Sequence, residues 1–170
     1  MAPDAAVSAP SLIPAETLAL VGQRLSEPVT ITIDRREAQR YAHAVGDENP
    51  LYFDEDAANA AGYRTLLAPP TFVSHAPVPP RSASQLRVDG LYNTGERVRL
   101  LVDRMMFGGE EWDFPEPVYV GDVVTAETRL AALDQKDGSK GPFVRVVRET
   151  TYTNGEGAVV ARARQIGIAR

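Results

Sequence analysis

The sequence predicts an α+β fold in which a long antiparallel sheet wraps around a buried central helix. Three observations carry that expectation. The second half reads as strands rich in Val, Thr and Tyr, separated by the tight-turn stretches "KDGSKG" and "NGEG". The first half holds a helix bounded by an N-terminal Asp34 and a C-terminal Gly46. Between the halves, "PPTFVSHA" is an apolar run that prolines admit only at its start.

Taken in order, residues 1–14 are rich in Ala and Pro and read as a mobile leader, with a single domain expected over 15–170. "AETLALVGQRL" puts Leu18, Val21 and Leu25 on one stripe, which predicts a short amphipathic helix over 15–25. "EPVTITID" alternates and predicts a strand over 27–34. Asp34 then caps a helix, with Glu37 as capping-box partner and Ala38, Ala42 and Val45 facing inward. "GDENPLYFDEDAANAAG" is a proline turn followed by a second short helix, with acids in its first turn and Gly62 after its end. Phe72, Val73 and Ala76 suit burial on the wrapped helix, which Pro77, Pro79 and Pro80 close. Residues 81–96 form a long polar connection, a candidate cover for a binding channel. Strands follow near 99–115, 122–134, 142–153 and 157–168, pairing in sequence order. Their edges call for a partner sheet.

Composition narrows the chemistry. The chain has 170 residues, 44% hydrophobic and 24% charged, with a net charge of -5, so it has no electrostatic footprint for nucleic acid or an anionic membrane. It has no cysteine and only two histidines, which removes thiol chemistry and histidine-rich metal sites. No secretory signal or apolar run of membrane length is present, so a cytoplasmic protein without metal or cofactor is expected.

Asp47 stands just past a helix end, where a carboxylate can act as a base or orient a water, and where plain turn chemistry also places one. Asn49 can hold the loop or bind a carbonyl. His43 reads as a surface histidine, and His75 as a core or interface one. The amides around Thr71 to Val73 begin a helix and could polarise a carbonyl. The adjacent glycines of "FGGEEW" suggest a bulge or the close approach of a ligand. Trp112 and Phe114 alternate onto one face, a core pattern. Arg64, Arg81 and Arg87 could meet phosphates, although solvated arginines are the default.

"YAHAVGDENPLYFDEDAANAAGYRTLLAPPTF", "FPEPVYVGDVVTAETRL" and "GPFVRVVRETTYTNGEGAVVARAR" resemble the MaoC-like family of (R)-specific enoyl-CoA hydratases and 3-hydroxyacyl thioester dehydratases. Within it they look closest to the FAS1-like dehydratase branch, over residues 20–168. The resemblance implies a hot-dog fold and reversible addition of water to a 2-enoyl-CoA or enoyl-ACP thioester. The family motif Asp-x-Asn-Pro-x-His supplies an Asp and a His that flank the catalytic water. Asp47, Asn49 and Pro50 match it, but Tyr52 stands at the histidine position. A phenol titrating near 10 cannot replace imidazole as a base at neutral pH. The resemblance therefore implies a homodimer, or a heterodimer in which this chain binds substrate and a His-bearing hot-dog subunit performs the chemistry. It also implies substrate contacts from Tyr52, Pro70, Thr71 and Phe72, with an oxyanion site at the start of the central helix. Pro70 lacks one of the donors such a site would use.

Overall fold

The computed structural model describes residues 10–78, 82–86 and 98–170. Five strands form one antiparallel sheet: β1 (Val29–Thr32), β2 (Met105–Asp113), β3 (Val123–Gly138), β4 (Gly141–Asn154) and β5 (Val159–Ala169). Their order across the sheet is β1-β3-β4-β5-β2. The last three strands are consecutive neighbours, as tight turns require. β2 is not: it pairs with β5 on the far side, so the expected pairing in sequence order fails there. Sixteen-residue β3 and fourteen-residue β4 form the longest ladder. Gly141, at φ +105°, closes their turn. The Asn154 side chain accepts from the Glu156 and Ala158 amides at 3.0 and 2.9 Å and shapes the next turn.

Bulges let the sheet keep one apolar face. Leu130 and Leu133 are three residues apart, an odd spacing that would send them to opposite faces. A register shift between Leu130 and Ala132 restores them to one cluster, with Val144, Val146 and Ala169. In β2 the shift falls between Phe107 and Gly109. A Cβ on Gly108 would stand 2.9 Å from Ile168 Cγ1 and 3.1 Å from the Ile166 carbonyl oxygen. Gly108 therefore answers to a close approach of β5, and Gly109 to a φ of +142°.

Among the described residues, four helices accompany the sheet: α1 (Ala15–Leu18), α2 (Arg35–Val45), α3 (Glu55–Ala60) and α4 (Phe72–His75). α2 is built as the sequence predicts. Asp34 accepts from the Glu37 amide at 2.9 Å, and Gly46 ends the helix at φ +74°. Ala38 and Ala42 are buried, but Val45, in the last turn, is 57% exposed. The predicted helix over 15–25 stops at Leu18 because the chain joins the sheet instead. The Gly22 amide donates to Leu130 O at 2.7 Å and the Leu25 amide to Thr128 O at 3.0 Å. Leu18 and Val21 are left exposed, while Leu20 and Leu25 pack on the Leu130 cluster.

The helix within the sheet's wrap is one turn long. α4 sends Phe72 and Val73 into a core with Ile33, Val124, Tyr152 and Ala161. The opposite end of the sheet is covered by Leu12, Ile13, Leu100 and Val102. Residues 10–14, expected to be mobile, are held there. The Leu12 amide donates to Gln135 Oε1 at 2.7 Å, and the Leu101 amide to Leu12 O at 3.0 Å. Of the polar connection 81–96, residues 82–86 carry a single 3-10 turn, Ala83–Gln85, capped by Ser82. Arg81, Arg87, Pro79, Pro80 and the channel cover proposed for this connection lie outside the described residues.

Gly108→Ala is expected to destabilise the chain by about 1–3 kcal/mol, because the obstructing neighbours include backbone. Urea denaturation of the two proteins measures the difference.

Candidate active site

Residues 46–70 form a loop system laced to the strand connection at 118–122. Gly46 and Asp47 donate their amides back to α2, at His43 O (3.2 Å) and Ala42 O (2.9 Å), so the chain leaves the helix in a fixed direction. Asp47 Oδ1 accepts from the Asn49 amide at 3.2 Å, and Asn49 Oδ1 from the Leu51 amide at 3.1 Å. Pro50 then opens a 3-10 turn, Pro50–Tyr52. Gln39 Nε2, from α2, donates to the Tyr52 carbonyl at 3.0 Å. The next pass of chain crosses this turn: Leu67 donates to Leu51 O at 3.0 Å and Ala68 to Val118 O at 2.8 Å.

The result is a cleft of about 320 Å³ whose walls include Asn49, Tyr52, Tyr63, Pro70 and Phe114. Of the residues singled out in the sequence, Asn49, Tyr52 and Pro70 meet here. Asp47 is half-buried behind them, acting on the Tyr52 phenol. Thr71 is exposed, its hydroxyl 3.0 Å from that of Tyr41. Phe72 is turned into the core at 2% exposure, and its amide already donates to Pro69 O at 2.9 Å. With that amide occupied and Pro70 lacking one, neither residue offers a free donor for a carbonyl oxygen.

The histidines stand apart from the cleft. His43 is exposed and packs on Phe53 with ring centroids 4.8 Å apart. His75 is exposed rather than core, beside Tyr41 at 5.7 Å. No group of three metal-ligating side chains occurs among the described residues, and no helix there is long and apolar enough to cross a membrane.

Burial is the main force on Tyr52. It raises the phenol above its ordinary value, and the Asp47 carboxylate raises it further by its charge and as a hydrogen-bond acceptor, against an opposing hydrogen bond from Asn49. At neutral pH Tyr52 is a protonated donor. The Asp47 side chain accepts that phenol's hydrogen bond.

Sequence reasoning missed most of the cleft's aromatic wall. Tyr63 follows Gly62, and Phe114 lies just past the end of β2, where Pro115 and Pro117 break the strand pattern. Those prolines were the available signal that Phe114 leaves the sheet. A second, polar cleft of about 660 Å³ adjoins the first and shares Glu116 and Pro117 with it. Arg64 lies there, paired with Asp122 and stacked on Tyr119 at 4.1 Å from the ring centroid.

Tyr152, in the core beneath, is pushed up to about 12 by burial and the charge of Glu110, against a hydrogen bond from Thr150. A raised phenol contributes stability below its unfolded value near 10, and that contribution is lost as pH rises towards 12. Stability is expected to fall by about 2–3 kcal/mol across that window. Denaturation at pH 9 to 12 should show this fall for the wild type and a shallower one for Tyr152→Phe.

Residues 19–163 match the model of the FAS1-like, dehydratase domain region. A UPF0336 protein of Streptomyces coelicolor is 30% identical over 120 residues, covering 71% of this chain and 75% of the relative. Among solved structures, the HadBC (3R-hydroxyacyl-ACP dehydratase) complex of Mycobacterium tuberculosis superposes with a TM-score of 0.64 at 24% identity, over 88% of this chain and 96% of that one. The ChsH1-ChsH2 complex of the same organism gives a TM-score of 0.68 at 18% identity, over 91% of each chain. The chain belongs to the FAS1-like dehydratase domain family and has the hot-dog fold, which it shares with a MaoC-like dehydratase.

Proposed function

We propose that this protein is a subunit of an (R)-specific enoyl thioester hydratase, or 3-hydroxyacyl thioester dehydratase, that binds substrate beside a His-bearing hot-dog partner. One observation carries the reading. The position that matches the family's histidine holds Tyr52, buried at the cleft wall with a raised phenol, while both histidines of the chain lie elsewhere.

The reaction adds water across the 2,3 double bond of an acyl-CoA or acyl-ACP thioester: hydroxide adds at C3 and a proton at C2, and the reverse step removes both. A base must take the water proton and an acid must supply the other. Asp47 can orient the water and Tyr52 can donate a hydrogen bond, but no imidazole lines this chain's cleft. A partner's imidazole would complete it.

The sheet offers places for such a partner. β1 and β2 are its edges, with Val29 42% and Phe107 70% exposed. The HadBC and ChsH1-ChsH2 neighbours are themselves complexes, which supports a heterodimer, and a homodimer would use the same edges. A second reading rests on Asp47, which is retained against Tyr52: a self-sufficient homodimer with Asp47 as its only base. A third is a binding protein for acyl thioesters. All three place the protein in the cytoplasm.

Loss of enoyl-thioester absorbance with crotonyl-CoA separates them. The lone chain is expected to be inactive, and co-expression with a hot-dog subunit carrying Asp-x-Asn-Pro-x-His should restore turnover. Hydration by the lone wild type that Asp47→Asn abolishes would replace this reading with the self-sufficient one. Thioester binding without turnover in any mixture would leave the binding protein. Tyr52→His in the lone chain is expected to raise hydration by about 10²–10⁴, the usual contribution of a positioned acid or base.

A further inference from the structure

The geometry points to a flat, ring-bearing acyl group as the occupant of the Tyr52 cleft, with Phe114 as the residue that sets the preference. This inference rests on the thioester reading above and names the class of acyl group within it.

The cleft is small and stiff. Its volume of about 320 Å³ lies at the bottom of the usual range for ligand pockets, about 300–1,000 Å³. Its lining includes three aromatic rings, Tyr52, Tyr63 and Phe114, and three prolines, Pro70, Pro115 and Pro117. Rings and prolines have few conformers to exchange, so those six parts of the wall adapt little to a flexible chain. A methionine wall could adapt, but no methionine lines the cleft.

Phe114 is held in place from behind. It stacks on Trp112 at 5.3 Å between centroids and 3° between planes, and Trp112 stacks on the buried Tyr152 at 5.9 Å and 21°. This three-ring column runs from the core to the cleft. Phe114 is its outermost ring and is 39% exposed. A planar acyl group extends the column by offset stacking, and a linear alkyl group cannot. Conjugation between the enoyl double bond and an aryl ring would keep such a group flat.

The test is calorimetric titration of the full chain with cinnamoyl-CoA, carbon-matched 2-nonenoyl-CoA and CoA alone. Cinnamoyl-CoA is expected to bind about two- to ten-fold more tightly than 2-nonenoyl-CoA, by the stacking increment that aromatic pairs show. It should also change the fluorescence of Trp112, the only tryptophan. Phe114→Leu should erase the preference by weakening cinnamoyl-CoA more than 2-nonenoyl-CoA, and Phe114→Tyr, which keeps the ring, should retain it. Equal or tighter binding of 2-nonenoyl-CoA would overturn the inference and leave the thioester reading intact, as would a preference surviving in a folded Phe114→Leu. If neither thioester bound more tightly than CoA, the thioester reading would fall and this inference with it.

Discussion

One face of the antiparallel sheet has to be kept from water, and the rest of the molecule is arranged around that need. Val124, Tyr152, Ala161 and Ala163 at one end, and Leu130, Val144, Val146 and Ala169 at the other, are buried. Burying such side chains is worth roughly 1.5–3 kcal/mol for each large one, which makes the covering elements obligatory. α2 and α4 cover the first end, and the chain before α1 with residues 98–102 covers the second. With one turn of wrapped helix, the first end also depends on the loops after α2. The cleft lies among those same loops, so covering the sheet and forming the site are one structural event.

That coupling explains the site's construction. The Pro50–Tyr52 turn is pinned by Gln39 on one side and by Leu67 on the other, and the second pass is pinned in turn by Val118 and Tyr119. Tyr52 enters the cleft as a consequence of this lacing. Its phenol meets Asp47 because the two residues flank a turn whose shape Asn49 fixes from within.

Features governed by near neighbours in the chain were legible in the sequence. Asp34 and Gly46 bound α2 because capping is a matter of a few residues. The β3–β4–β5 turns followed from glycine and asparagine at fixed offsets. The Asp47, Asn49, Pro50 and Tyr52 pattern could be read because it is contiguous. What failed depended on distant partners. Leu18, Val21 and Leu25 share a helical stripe, yet Gly22 and Leu25 bond to β3, more than a hundred residues away. β2 was read as the neighbour of β3, but nothing local records that β5 takes it. Phe114 alternates with Trp112 as a core residue would, and only the prolines after it turn it towards the cleft.

The clip between Leu12 and Gln135 spans 123 positions of the chain. During synthesis the first of these residues emerges long before its acceptor exists. At roughly 5–20 residues per second the N-terminal arm waits about 6–25 s for Gln135. Through that interval Leu12 and Ile13 have no sheet to pack on. The arm is thus made well before the partner that seats it. The clip can form only once β3 has been made, so a nascent chain with its Leu12 amide held in this way has already completed Gln135.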